Sequence, residues 1–301
     1  MFSKRQISEL FLLSVIFLII LVTGCTDNST VQSGNGNING ESQIKVAVSI
    51  PPQKEFVESV GGELVDVLLF VPPGASPHTH EPSPEQLKEL SKADIYAEVG
   101  SGIEFELAYM DKLKGINPGM KIIDCSKGID LIYGDTGSQG DGFGDPHIWL
   151  SPKNARIMVE NICEGLCEFS PENEEYFRKN SEEYISKLDM LDKDITMELE
   201  GKNGEKIMVY HSAWAYFAKD YSLIQVPVET EGKELTSGDI SSLIEQARAD
   251  NISVIFASPQ YSLKSANVVA DAINGRLVLI DPLAENYSEN MAAVAGAFAE
   301  V

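Results

Sequence analysis

Short apolar, β-branched runs alternate along this chain with longer stretches whose apolar residues recur every three or four positions. Residues 45–50, 65–71, 93–99 and 121–125 read as buried strands, with helices at 53–60, 84–92 and 151–169. The helix at 84–92 opens with Ser83 as N-cap, Pro84 at its first position and Gln86 closing a capping box. The second half repeats the scheme, with strands at 206–210, 224–228, 253–257 and 276–280 and helices at 237–249 and 263–273. Asn274-Gly275 supplies a C-cap for the last of these. Between the halves, residues 172–199 hold neither Gly nor Pro. Their apolar positions Phe177, Tyr184, Leu188, Leu191 and Ile195 trace a narrow stripe on a charged helix, about 40 Å long at ~1.5 Å per residue. The pattern predicts an α/β protein of two βα lobes, 44–170 and 201–301, each with a parallel four-stranded sheet. One long, rigid helix, 171–200, joins them.

The first forty residues stand outside that pattern. Lys4 and Arg5 precede an apolar stretch, 10–22, that is short for a membrane span and ends in Val22-Thr23-Gly24-Cys25. This predicts a signal peptide, 1–24, and lipidation of Cys25. Two acyl chains there suffice for stable anchoring on the outer face of the cytoplasmic membrane. Residues 25–43 then form a Ser/Asn/Gly-rich flexible tether. The glycines at 34–40 follow no strand and make no dinucleotide site.

Charge narrows the partners. With 23 Lys+Arg against 46 Asp+Glu, no basic stripe is available to neutralise phosphates, which excludes nucleic acid. The acidic surface keeps the chain soluble and favours a monomer. An exported protein permits a disulfide, but sequence leaves the pairing of Cys125, Cys163 and Cys167 open. None lies beside a histidine in sequence, and the three are given structural roles.

The chemistry sits in His78, His147, His211 and Asp281. Each lies just beyond a strand-like run, two in each half, which places the set at the carboxyl ends of strands in the interlobe cleft. A single histidine in such a place is ordinarily a packed or surface residue; the joint placement points to metal. Three imidazoles and a carboxylate complete a tetrahedral shell for a borderline cation such as Zn²⁺. His80, two residues beyond His78 on an extended loop, is an auxiliary candidate or simply exposed. A zinc hydrolase would use the three histidines as ligands and Asp281 as a base. Neither a His-Glu-x-x-His pair nor a nucleophile elbow accompanies them, and the chain reads as no enzyme. A surface adhesin is a third reading.

Four segments carry a family resemblance: Val71-Pro72-Pro73-Gly74-Ala75-Ser76-Pro77-His78-Thr79-His80-Glu81-Pro82, Asp145-Pro146-His147-Ile148-Trp149-Leu150-Ser151-Pro152, His211-Ser212-Ala213-Trp214-Ala215-Tyr216-Phe217 and Leu279-Ile280-Asp281-Pro282-Leu283. From about Ile44 to the C-terminus the chain resembles the zinc- and manganese-binding solute-binding lipoproteins of ABC importers, the ZnuA/TroA-like family. The resemblance implies a transition metal held between two lobes and delivered to a membrane permease. In that family a Glu at the third ligand position goes with manganese; His211 here favours Zn²⁺, with Mn²⁺ or iron as the alternative. Zinc-specific members often carry a histidine- and acid-rich loop before the second ligand. Here 134–144 is Gly/Asp-rich, expected to be mobile and to add no strong site. Ser212, Leu235 and Ala284 replace a common Asp, Pro and Gly, none of them a ligand.

Overall fold

A computed structural model of the protein describes residues 43–133, 144–229, 236–261 and 263–301. The signal peptide, Cys25, nearly all of the 25–43 tether, residues 134–143 and Leu235 lie outside the described residues.

Eight strands form two parallel sheets. In the first, β1 (Ile44–Val48), β2 (Val65–Leu69), β3 (Ile95–Glu98) and β4 (Lys121–Asp124) lie in the order β2-β1-β3-β4. In the second, β5 (Lys206–Val209), β6 (Ile224–Pro227), β7 (Val254–Ala257) and β8 (Arg276–Leu279) lie in the order β6-β5-β7-β8. The two orders are the same, so the halves repeat in topology as well as in pattern. Val46, Ala47 and Val48 are successive residues pointing to opposite faces, and all are buried. That is why a continuous apolar run marks these strands. Several strands end before the predicted limit: 65–71 stops at Leu69 and 206–210 at Val209, because the last apolar residues already belong to the loops.

Helices α1 (Pro51–Gly61), α2 (Pro84–Leu90), α3 (Glu104–Ile116) and α4 (Pro152–Phe169) serve the first half. The long α5 (Glu174–Glu198) follows, and α6 (Ala215–Asp220), α7 (Ser237–Ala249), α8 (Leu263–Ala272) and α9 (Tyr287–Ala299) serve the second. Ser83 caps α2 as expected, accepting from the Gln86 N–H at 3.2 Å while the Gln86 side chain returns to the Ser83 N–H at 2.9 Å. Asn274 ends α8 with a φ of 53°, in the left-handed region that Asn tolerates. The 172–199 helix begins two residues late because Pro171 opens a 3₁₀ turn, Pro171–Asn173, first. Its stripe is buried as predicted: Phe177, Tyr184, Leu188, Leu191 and Ile195 face α1, α4 and α9. Helices α3, α6 and α9 were not read from the sequence.

One apolar core runs from the first sheet, along α5, to one face of the second sheet. Phe56 of α1 meets Tyr287 of α9 edge-on at 5.0 Å, and Phe298 of α9 meets Phe256 of β7 at 4.8 Å. Polar bonds stitch the same seam. The Glu55 carboxylate accepts from the Tyr184 hydroxyl at 2.5 Å and the Tyr287 N–H at 2.6 Å. The Trp149 indole donates to the Pro282 carbonyl at 2.7 Å, and the Tyr287 hydroxyl donates to the Trp149 carbonyl at 2.8 Å. A second cluster, with Met208, Val226, Leu243, Ile255 and Val269, covers the other face of the second sheet under α7 and α8.

Close contact sets two details. A Cβ on Gly165 would lie 2.2 Å from Ile123 Cδ1, so α4 approaches β4 this nearly only with glycine there. Cys125, Cys163 and Cys167 are buried and free; the Sγ atoms of Cys163 and Cys167 lie 3.9 Å apart, well beyond the ~2.05 Å of a bond. Among the described residues no helix is long and apolar enough to cross a membrane.

Candidate metal centre

Three loops at the carboxyl ends of strands bring the histidines together. His78 lies between β2 and α2, in a turn closed by Thr79 and His80 N–H groups on the Ser76 carbonyl. The Gln86 amide fixes its exit, donating to the carbonyls of Leu69 at 3.0 Å and Phe70 at 2.7 Å. His147 follows Pro146, whose carbonyl accepts from the Ser101 hydroxyl at 2.5 Å. The carbonyl of Asp145 accepts from the Tyr216 hydroxyl at 2.8 Å, so the second half steadies the His147 loop of the first. His211 stands just past β5, where the Ala213 N–H donates to its carbonyl at 2.8 Å.

The three imidazoles converge through Nε2. His211 Nε2 lies 3.3 Å from His78 Nε2 and 3.1 Å from His147 Nε2, and the three ligand atoms lie within 4.8 Å of one another. Ligands at ~2.0–2.1 Å around a tetrahedral ion stand roughly 3.3 Å apart. The spacing therefore suits one small cation held by three nitrogens.

The opposite ring atoms settle the protonation. His78 Nδ1 is 2.8 Å from Glu104, His147 Nδ1 is 2.9 Å from Asp145, and His211 Nδ1 meets the buried Glu229. An ionised carboxylate only accepts, so each Nδ1 carries the proton and each Nε2 turns a lone pair to the centre. Three lone pairs at this spacing repel unless a cation lies among them. Burial lowers the pKa of His211 against the opposing pull of Glu229, which keeps that ring neutral and ready to ligate.

Glu104 opens α3, and its neighbour Glu106 pins that end of the helix. Glu106 accepts from the Ser49 hydroxyl, the Val99 N–H at 2.7 Å and the Gly100 N–H at 3.0 Å. Complete burial still pushes its carboxyl up to about 7. Tyr261 lays its ring 4.7 Å from His211 and 6.2 Å from His78. The histidines, with Trp149, Gln260, Tyr261 and Leu283, line a half-open cavity of ≈ 10 Å³. That is about the room of one water-sized species.

Asp281 is not in this group. It follows β8 as predicted, but its Oδ1 accepts from the Leu283 N–H at 2.8 Å and the Gln260 side-chain amide at 2.7 Å. The turn it makes with Leu283 holds the carboxylate by its own backbone instead of presenting it to the imidazoles. His80 is not in the group either. Its ring packs 6.1 Å from Phe105 and bonds to the Phe70 backbone, and burial lowers its pKa.

Sequence reasoning did not single out Glu104, Glu229, Gln260 or Tyr261, and it quoted Asp145 without a role. The usable signal was position, since each of the four follows a strand end by a few residues, as His211 does.

Sequence and fold also connect the chain with known proteins. Residues 46–301 match the profile of a family described as zinc-uptake complex component A, periplasmic. The high-affinity zinc uptake system protein ZnuA of Bacillus subtilis (strain 168) is 30% identical over 294 residues, covering 94% of this chain and 90% of that protein. The manganese ABC transporter substrate-binding lipoprotein PsaA of Streptococcus mitis is 28% identical over 303 residues, covering 95% and 93%. A crystal structure of ZnuA superposes with a TM-score of 0.82 at 37% identity, covering 87% of this chain and 99% of that one. The protein belongs to the periplasmic zinc-uptake complex component A family, metal-binding solute-binding proteins that serve ABC importers.

Proposed function

We propose that this protein captures Zn²⁺ outside the cytoplasmic membrane and hands it to the permease of an ABC importer. His78, His147 and His211 are the ligands, and the chain acts as a monomer tethered by lipid on Cys25. One observation carries the reading: the Nε2 atoms of His78 and His147 lie 3.3 and 3.1 Å from that of His211, while every Nδ1 is committed to a carboxylate. Imidazole nitrogen suits zinc, whereas manganese favours carboxylate, carbonyl and water oxygens. No carboxylate belongs to the converging group among the described residues. Hydrolytic zinc sites also use three histidines, but they need a free general base, and the carboxylates beside these rings are bonded to the Nδ1 atoms.

The test is a titration of metal-free protein with Zn²⁺ and Mn²⁺ against a chromophoric chelator. One tightly held zinc per chain, displaced by manganese only in large excess, is the expected result. Manganese binding as tight as zinc would overturn the choice of cargo. A His211→Ala protein that held zinc like the unaltered chain would overturn the site.

A further inference from the structure

Gln260, in the loop after β7, lines the same cavity as the histidines. Its Nε2 donates to Asp281 Oδ1 at 2.7 Å. Asp281 is itself pinned: Oδ1 takes the Leu283 N–H at 2.8 Å, and its carbonyl takes the Asn290 side-chain amide of α9 at 2.7 Å. A carboxylate offers no proton, so it dictates which way the Gln260 amide lies, with the NH₂ end toward Asp281 and the oxygen end away. That oxygen, Oε1, is buried and has no hydrogen-bond partner among the described residues. An acceptor aimed by a charged neighbour and left without a donor beside three converging lone pairs calls for a donor at that point. A tetrahedral ion on three imidazoles has one corner left, and the cavity is half open, so a water can reach that corner.

We propose that Gln260 Oε1 accepts a hydrogen bond from the water that completes the zinc shell, with Asp281 as the positioning residue that orients the amide, not as a metal ligand. The inference rests on the three-histidine site proposed above. It makes the fourth ligand neutral and exchangeable, so an incoming acceptor on the permease replaces a water and not an anchored carboxylate.

Four variants test it: Gln260→Leu, Asp281→Ala, the double variant and Asp281→Asn. Zinc affinity is read by chelator competition, and near-ultraviolet circular dichroism of the metal-free proteins verifies folding. Gln260→Leu is expected to weaken binding about 10–100-fold, the usual effect of removing an outer-shell partner. Asp281→Ala should weaken it similarly, and the double variant no further than either single one. Asp281→Asn should retain most of the affinity, because its carbonyl can still accept both N–H groups. Cobalt(II) in place of zinc should keep the strong visible absorption of four-coordination in Gln260→Leu, since the water remains. Unchanged affinity in Gln260→Leu would overturn the proposal, and so would additive effects in the double variant. Loss in Asp281→Asn as severe as in His211→Ala would do the same, by marking Asp281 as a ligand. Retained tight binding in His211→Ala is a separate outcome, which removes the histidine site itself.

Discussion

The two halves of the molecule meet in two places built from opposite materials. Along α5 the seam is apolar and dense, with Phe56, Tyr184, Tyr287 and Trp149 buried and their few polar atoms bonded across it. At the carboxyl ends of the strands the halves meet through three imidazoles, each backed by a carboxylate. The first place holds by burial of area, which is insensitive to small rotations of side chains. The second depends on ligand distances that hold to about ±0.2 Å. The seam thus sets the frame in which the three imidazoles stand.

Substitutions in each place should therefore break different properties. Phe56→Ala, in the seam, is expected to lower stability by about 3–5 kcal/mol, read as the midpoint of urea unfolding. His78→Ala should leave that midpoint nearly unmoved while weakening zinc by orders of magnitude. A variant that lost both equally would erase the distinction. Within the metal end, burial should grade the carboxylates: Glu229 is 5% exposed and Glu104 48%. Glu229→Gln should weaken zinc about tenfold and Glu104→Gln less, because water replaces part of the lost interaction. The reverse order in a chelator titration would contradict this grading. Smaller again, Tyr287→Phe removes one buried hydrogen bond to the Trp149 carbonyl and should cost about 1–2 kcal/mol with no change in zinc affinity.

The smallest effect expected is on the pH dependence of the metal-free protein. Burial lowers the folded-state pKa of His211 below the unfolded value of about 6.5. The folded state then binds fewer protons than the unfolded one in mildly acidic solution. The contribution of His211 is thus complete above about pH 6.5 and is lost as pH falls through the folded value. Relative to the unaltered chain, His211→Leu should show a flatter loss of stability on acidification. Zinc affinity should fall in the same direction, because protons compete for the Nε2 lone pairs. Affinity that stayed flat between pH 7 and about 5.5 would contradict imidazole ligation.

Much of this was legible in the chain because burial writes a period into the sequence. The central strands β1, β3, β5 and β7 lie on apolar runs buried on both faces, and His78, His147 and His211 could be placed by where strand-like runs end. What stayed hidden has physical reasons. Helix α6 is only six residues long, too short for a periodic signal. Helix α9 is rich in alanine at both buried and exposed positions, so its stripe has little contrast. Glu104 and Glu229 are two among 46 acidic residues, and nothing in their local sequence separates them from solvated surface. For Asp281, sequence gave the position after β8 but not the competition: the Leu283 N–H and the Gln260 amide take the same oxygen. Such a contest between a loop's own turn and a distant ligand set is decided only in three dimensions.

The continuous core along α5 carries a consequence for how the molecule melts. Two sheets of identical topology with separate cores would unfold as two units. Here Tyr184, Tyr287 and Phe298 belong to one apolar body with the first sheet and one face of the second, and neither half can open without exposing it. Heating should therefore give a single calorimetric transition with matching calorimetric and van't Hoff enthalpies. An ion bound by three side chains at one end should then raise the melting temperature of the whole chain, by an amount that grows with the logarithm of free zinc.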